Sequence, residues 1–119
     1  EMQRPSLAVP LARMVAQRHF LSRSVQNAER ASEQIIDQLS ALRQVAIQLR
    51  RNGYTLLGAT IEGGLPTIEV RAGSLTDEML ALDLATHYKW TTVQGEPQRW
   101  GQFLDKPSGV RVIFVERPL

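Results

Sequence analysis

Residues 11–52 contain neither glycine nor proline, and most of them are good helix formers. Steps of four and three residues through this stretch meet Leu7, Leu11, Met14, Arg18, Leu21, Val25, Ala28, Ser32, Ile35, Leu39, Leu42, Ala46 and Leu49. Eleven of these thirteen positions are apolar and the register never breaks. That is the a/d seam of a left-handed coiled coil, with Arg18 and Ser32 at a positions where they would set register or strand number. Asn52-Gly53 supplies the stop, with Arg50 and Arg51 in the last turn, where the helix dipole favours cations. The expected organisation is a disordered start at residues 1–5, a helix over residues 6–52 and an α+β body over residues 53–119. A helical hairpin broken within residues 22–32 is the alternative, and the absence of a breaker there favours one continuous helix.

The apolar face widens from Ile35 to Leu49, because Ile36 and Val45 flank the seam. A broad face suits packing on a sheet, whereas the narrower N-terminal half suits another helix. A rod from Leu7 to Leu49 would be about 64 Å long, against about 35 Å for a compact globule of this chain length. The seam therefore predicts a homo-oligomer, with a dimer expected, held by Leu7, Leu11, Met14, Leu21 and Val25 with Arg18 setting the register.

After Gly53 the hydrophobic period falls to two. Residues 54–61 read as a strand with Leu57, Ala59 and Ile61 on one face, and Gly63-Gly64 as a hairpin turn. Residues 67–71 return with Ile68 and Val70 inward, and Pro66 suggests a sheet edge. Ser74 resembles an N-cap, with Asp77 at the capping-box position, for a helix running to about residue 88. Residues 90–93 and 99–104 read as strands, and 110–115, the most continuously apolar run, as an interior strand. The order α-β-β-α-β-β-β predicts an α+β fold with a small, mainly antiparallel sheet under the long helix.

Composition narrows the chemistry. The chain has no cysteine, which excludes disulfides, thiolate metal sites and cysteine nucleophiles, and suits a cytoplasmic protein. It lacks an apolar run long enough to span a membrane, and residues 1–20 lack the pattern of a secretory signal. His87 follows Asp83 by four residues, which on a helix would pair an imidazole with a carboxylate. A hydrolase built there would need a nucleophile or further ligands, and none stands at diagnostic spacing. The reading is therefore of a non-enzymatic protein, with no cofactor and no metal.

Charge is uneven along the chain. Residues 1–52 carry eight Arg against four acidic side chains, giving +4, and residues 53–119 carry six basic against eight acidic, giving −2. Arg43, Arg50 and Arg51 are candidate contacts to nucleic acid, although Arg43 and Arg50 also occupy e positions suited to inter-chain ion pairs. Arg99-Trp100 and Phe103 interleave cation and aromatic, but a spacing of three in a strand sends Trp100 and Phe103 to opposite faces, so at least one belongs to the core. The stretch from Arg99-Trp100 to the Val110–Val115 run resembles closing hairpins of small phage and mobile-element proteins. The helix-then-α+β plan is similar to assembly components of pilus and secretion systems. The function expected is thus a self-associating protein-interaction module, as in a phage or mobile-element accessory protein, with a protein partner. A nucleic-acid-binding regulator is the second expectation, and a hydrolase around Asp83 and His87 a distant third.

Overall fold

The computed structural model describes residues 8–117, with side chains described for residues 23–61 and 63–117. One long helix, α1 (Ala8–Arg51), precedes β1 (Leu56–Glu62), β2 (Leu65–Arg71), a short helix α2 (Ser74–Ala81), β3 (Thr86–Val93), β4 (Glu96–Asp105) and β5 (Val110–Glu116). This is the expected α+β order. α1 is unbroken through residues 22–32, as the lack of glycine and proline there requires. Among the described residues, no helix is long and apolar enough to cross a membrane.

The chain divides into two compact units, Glu1–Ile36 and Asp37–Leu119. The first is helical from Ala8 onward. The second combines the last turns of α1 with α2 and a five-stranded sheet of order β1-β2-β5-β4-β3. Three pairings in the sheet are antiparallel, and one, β2 with β5, is parallel, in register from Thr67↔Arg111 to Arg71↔Val115.

β5 occupies the centre, as its apolar run demands, and Val110, Val112 and Phe114 are fully buried. With Ile68 and Val70 of β2 they form one face of the sheet. Leu42, Val45 and Leu49 of α1 cover that face, and Met79 and Leu80 of α2 flank it. Packing by α1 starts at Ala41, later than the expected Ile35; Ile35, Ile36 and Leu39 remain exposed. Gln38 of α1 donates from Nε2 to the Gly64 carbonyl in the β1–β2 turn at 2.6 Å.

Four local expectations are corrected. First, Leu57 does not share the core face with Ile61. The β1–β2 register jumps from Leu56↔Val70 to Gly58↔Glu69, leaving Leu57 as the extra residue of a bulge and handing its inward place to Leu56. Second, Pro66 does not mark an edge strand, since β2 lies between β1 and β5. It precedes the first residue of the parallel ladder, Thr67, where a missing N–H is tolerated. Third, the cap of α2 is Gly73 and not Ser74. The Thr76 hydroxyl accepts from the Gly73 N–H at 2.8 Å and donates to its carbonyl at 2.9 Å.

Fourth, α2 stops at Ala81 instead of running to residue 88, and residues 86–93 form β3. Asp83 takes a left-handed conformation (φ 57°), one that Asp tolerates better than most residues and that no helix can continue through. The following Thr86-His-Tyr-Lys-Trp-Thr-Thr-Val is rich in β-branched and aromatic residues, which favour a strand.

Gly101 of β4 faces Phe114 across the β4–β5 pair. A Cβ at this position would lie 2.2 Å from Phe114 Cζ and 2.4 Å from Cε2, inside any permissible contact. Gly101→Ala is therefore expected to destabilise the protein by about 2–3 kcal/mol, lowering Tm by roughly 10 °C or more. Combined with Phe114→Leu, it should cost less than the sum of the two single changes, because the smaller side chain relieves the collision. Thermal denaturation of the three variants measures this, and an unchanged Tm for Gly101→Ala would contradict the close approach.

Candidate interaction surfaces

The α1 seam meets two different environments. Leu42 and Leu49 are buried in the core and Ala46 packs against it. N-terminal to them, Val25, Ile35 and Leu39 occupy the same seam yet stay 55%, 51% and 54% exposed, and Ile36 beside them 63%. Ser32, the polar a position between them, is also exposed. Of the other association residues anticipated from sequence, Leu7 lies outside the described residues. Leu11, Met14, Arg18 and Leu21 fall within α1, but their side chains lie outside the described set.

Arg43, Arg50 and Arg51 are exposed. Arg50 and Arg51 sit in the last turn of α1, where they offset the partial negative charge of its free carbonyls. The three form no ion pair among the described residues, and they line none of the grooves described below.

The Asp83–His87 pair does not form, because the helix that would have carried it ends at Ala81. His87 instead stands on β3, opposite Gly101 of β4, and its Nε2 meets Oε1 of Glu116 on β5, which stands opposite Arg99 of β4. Arg99 Nη2 lies 3.8 Å from the other carboxylate oxygen of Glu116. Glu116 thus takes the place expected of Asp83 as the carboxylate beside the imidazole. Sequence spacing could not show a contact between residues on two strands separated by a third. Among the described residues, no cluster of three or more His, Asp or Glu could hold a metal ion.

Within the second unit, the last turns of α1 and the core residues of α2 pack on one face of the sheet, and no core residue described there covers the opposite face. Alternation along the strands puts Glu69, Arg111, Ile113, Trp100 and Lys89 on it, and a bulge between His87 and Lys89 adds Tyr88. The indole N–H of Trp100 donates to Thr91 Oγ1 at 2.9 Å, which fixes the ring along the β3–β4 pair. Lys89 Nζ stands 4.4 Å from the centre of that ring, and Arg111 Cζ 5.7 Å from the centre of the Tyr88 ring. These are two adjacent cation–π pairs. Thr67 and Gln98 are buried on this face.

Two grooves cross the open face and share Glu69 and Trp100. One, of about 330 Å³, is lined by Tyr88, Lys89, Trp100 and Arg111 over a floor of Thr67 and Ile113. The other, of about 830 Å³, extends past Trp100 to Arg71 and Arg117. Arg111 is poorly satisfied here: its Nε is buried without a hydrogen-bond partner among the described residues, and Nη1 reaches Gln102 Oε1 only at 3.5 Å.

The sequence had marked Arg99, Trp100 and Phe103 as a cation–aromatic group. The structure keeps only Trp100 in it. Phe103 faces the core against Tyr54, ring centres 6.3 Å apart, and Arg99 turns to Glu116. Lys89, Tyr88 and Arg111 replace them, brought in from neighbouring strands.

Comparison with protein-family models, with curated proteins and with solved structures finds no match for this chain.

Burial pushes the Tyr88 phenol above its ordinary value of 10.0; the Arg111 guanidinium opposes that shift and the Glu69 carboxylate adds to it. In a Tyr54→Phe background, Tyr88 should therefore ionise above pH 10 when folded and close to it in denaturant. The neutral phenol is the form favoured by folding, so its contribution to stability is present below pH 10 and is lost as pH rises through the folded value. Replacing Arg111 by Gln should raise the folded value further. Titration of the tyrosinate absorbance measures both effects.

Proposed function

We propose that this protein is a self-associating interaction module whose α1 seam pairs with the same seam of a second copy. The observation that carries the reading is the persistence of one heptad register across two states of burial. Leu42, Ala46 and Leu49 are covered by the protein's own sheet, whereas Val25, Ile35 and Leu39 in the same seam are left more than half exposed.

A second copy suits this strip better than an unrelated surface. Seven-residue periodicity is the pattern that keeps a seam facing another helix, and the identical chain supplies that helix in matching register. Burying an apolar side chain of this size gains about 1.5–3 kcal/mol, and each of Val25, Ile35, Ile36 and Leu39 has roughly half of that still available. Four such residues from each chain could yield several kcal/mol for a pair, the scale of micromolar association. Ser32 in their midst weakens the seam and favours alignments that bring it against another polar group.

Association would also bring copies of the folded body together, so any ligand of that body would meet more than one site at once.

Size-exclusion chromatography with light scattering at tens of micromolar should report a dimer or larger species. Ile35→Asp combined with Leu39→Asp should shift the population to monomer, with an association constant at least roughly a hundredfold lower, by removing two apolar contacts and adding charge to the seam. Both positions are exposed, so the folded body should keep its far-ultraviolet signature. A wild-type chain that stays strictly monomeric under these conditions would overturn the reading.

A further inference from the structure

We infer that the open face of the sheet is a binding surface for single-stranded nucleic acid, in which Tyr88 and Trp100 stack on bases while Lys89, Arg111, Arg71 and Arg117 meet phosphates. The surface is distinct from the basic helix end at Arg43, Arg50 and Arg51, and the inference does not depend on self-association.

Three features support this occupant. The first is the pairing of ring and cation. Tyr88 and Trp100 come from adjacent strands, and each has a cation within 6 Å of its centre, Arg111 at 5.7 Å and Lys89 at 4.4 Å. A base stacked on either ring would bring its own phosphate within reach of that cation. Lys89 is exposed and can swing from ring to phosphate, while the Trp100 ring is held in place through Thr91.

The second feature is charge. Arg71, Lys89 and Arg111 from the strands, and Arg117 just past the end of β5, line the two grooves against Glu69. Asp77 and Glu116 close the far wall of the larger groove, and the Glu116 carboxylate is already engaged by His87 and Arg99. The Arg111 guanidinium is under-satisfied within the chain, its Nε buried without a hydrogen-bond partner among the described residues.

The third is shape. The grooves adjoin at Glu69 and Trp100, so the surface is a track instead of a closed pocket. From Arg111 in β5 to Arg117 just past its end, an extended chain spans about 20 Å, room for several linked nucleotides. A partner helix would require a continuous apolar stripe, but Ile113 in the middle of the face is flanked by Glu69 and Gln102, with Thr67 and Arg111 next along the same strands. A duplex hides its bases in the stack and leaves these rings nothing to bind.

The test uses the full chain and fluorescein-labelled oligo(dT) and oligo(U), followed by anisotropy at low salt, with a duplex and a mononucleotide alongside. Either single strand, or both, should bind, with affinity rising with length, and the duplex and mononucleotide should bind more weakly. The two oligomers distinguish DNA from RNA. Trp100→Ala and Tyr88→Ala should each weaken binding by about tenfold, and Tyr88→Phe, which keeps the ring, by less than twofold. Arg111→Gln should reduce the slope of log affinity against log salt by about 0.7, the share of one phosphate on a single strand.

Neutralising Arg43, Arg50 and Arg51 together should leave affinity within twofold. The Ile35→Asp, Leu39→Asp chain should still bind as a monomer, which separates this inference from the self-association reading. In a Trp90→Phe background, Trp100 is the remaining tryptophan, and its emission should change as oligonucleotide displaces Lys89 from the ring. Should Trp100→Ala fail to fold by circular dichroism, the Tyr88 pair and the salt slope decide the matter. Absence of binding to both single strands at low salt would overturn the inference. So would preference for the duplex, or loss of binding on neutralising the α1 arginines with none in the Tyr88 and Trp100 variants.

Discussion

Leu42, Val45 and Leu49 of α1 lie on a sheet face made by Ile68 and Val70 of β2 and by Val110, Val112 and Phe114 of β5. This contact organises the second unit of the chain. Neither part could stand alone. The last turns of a helix cannot hide their apolar residues by themselves, and an uncovered sheet face of five large aliphatic and aromatic side chains would seek another surface. β5 is central because it alone supplies three fully buried residues at alternate positions, and its neighbours arrange around it. Gly101 has the same origin. The Phe114 ring occupies the space where a side chain on β4 would begin, so the strand beside the core's largest residue must lack one.

The same seam continues N-terminal to the core residues, and there its burial changes. Gln38 bonds the β1–β2 turn, and N-terminal to it the apolar seam positions Val25 and Ile35 are exposed. A helix that only had to cover its own sheet would carry apolar residues as far as that turn and polar ones afterwards. α1 keeps its register instead, with Val25, Ile35 and Leu39 exposed in phase with Leu42 and Leu49. That continuity is what the proposal of a self-associating α1 rests on.

The sheet's two faces differ as sharply as the two parts of the helix. Alternate residues of β5 show it within one strand: Val110, Val112 and Phe114 enter the core, while Arg111, Ile113 and Val115 point to the open side. On that side Thr67 and Gln98 are buried as well. Cation–π pairs hold Lys89 and Arg111 close to the sheet, which makes the face a structured surface with rings and charges at set positions.

The long helix, the two-glycine turn of the first hairpin and the central place of β5 were all legible in the sequence, because each rests on local signals: absence of breakers, positive φ at Gly63 and Gly64, and an apolar run. The end of α2 was not. Residues 82–88 contain apolar spacing that satisfies a helix, and only pairing with β4 turns Thr86–Val93 into a strand. That one change removed the Asp83–His87 pair and brought His87 to Glu116. The bulges at Leu57 and Tyr88 were likewise invisible, since an extra residue shows itself only against a partner strand.

Sequence by itself determined which segments could be helix or strand and which strip of α1 would be apolar, because periodicity and backbone preference act over a few residues. Tertiary structure decided where that strip is covered, which strands are neighbours and which side chains share the open face. Those depend on contacts between residues far apart in the chain, such as Lys89 with Trp100 and Arg111 with Tyr88, whose meeting follows from the order in which the strands are laid together.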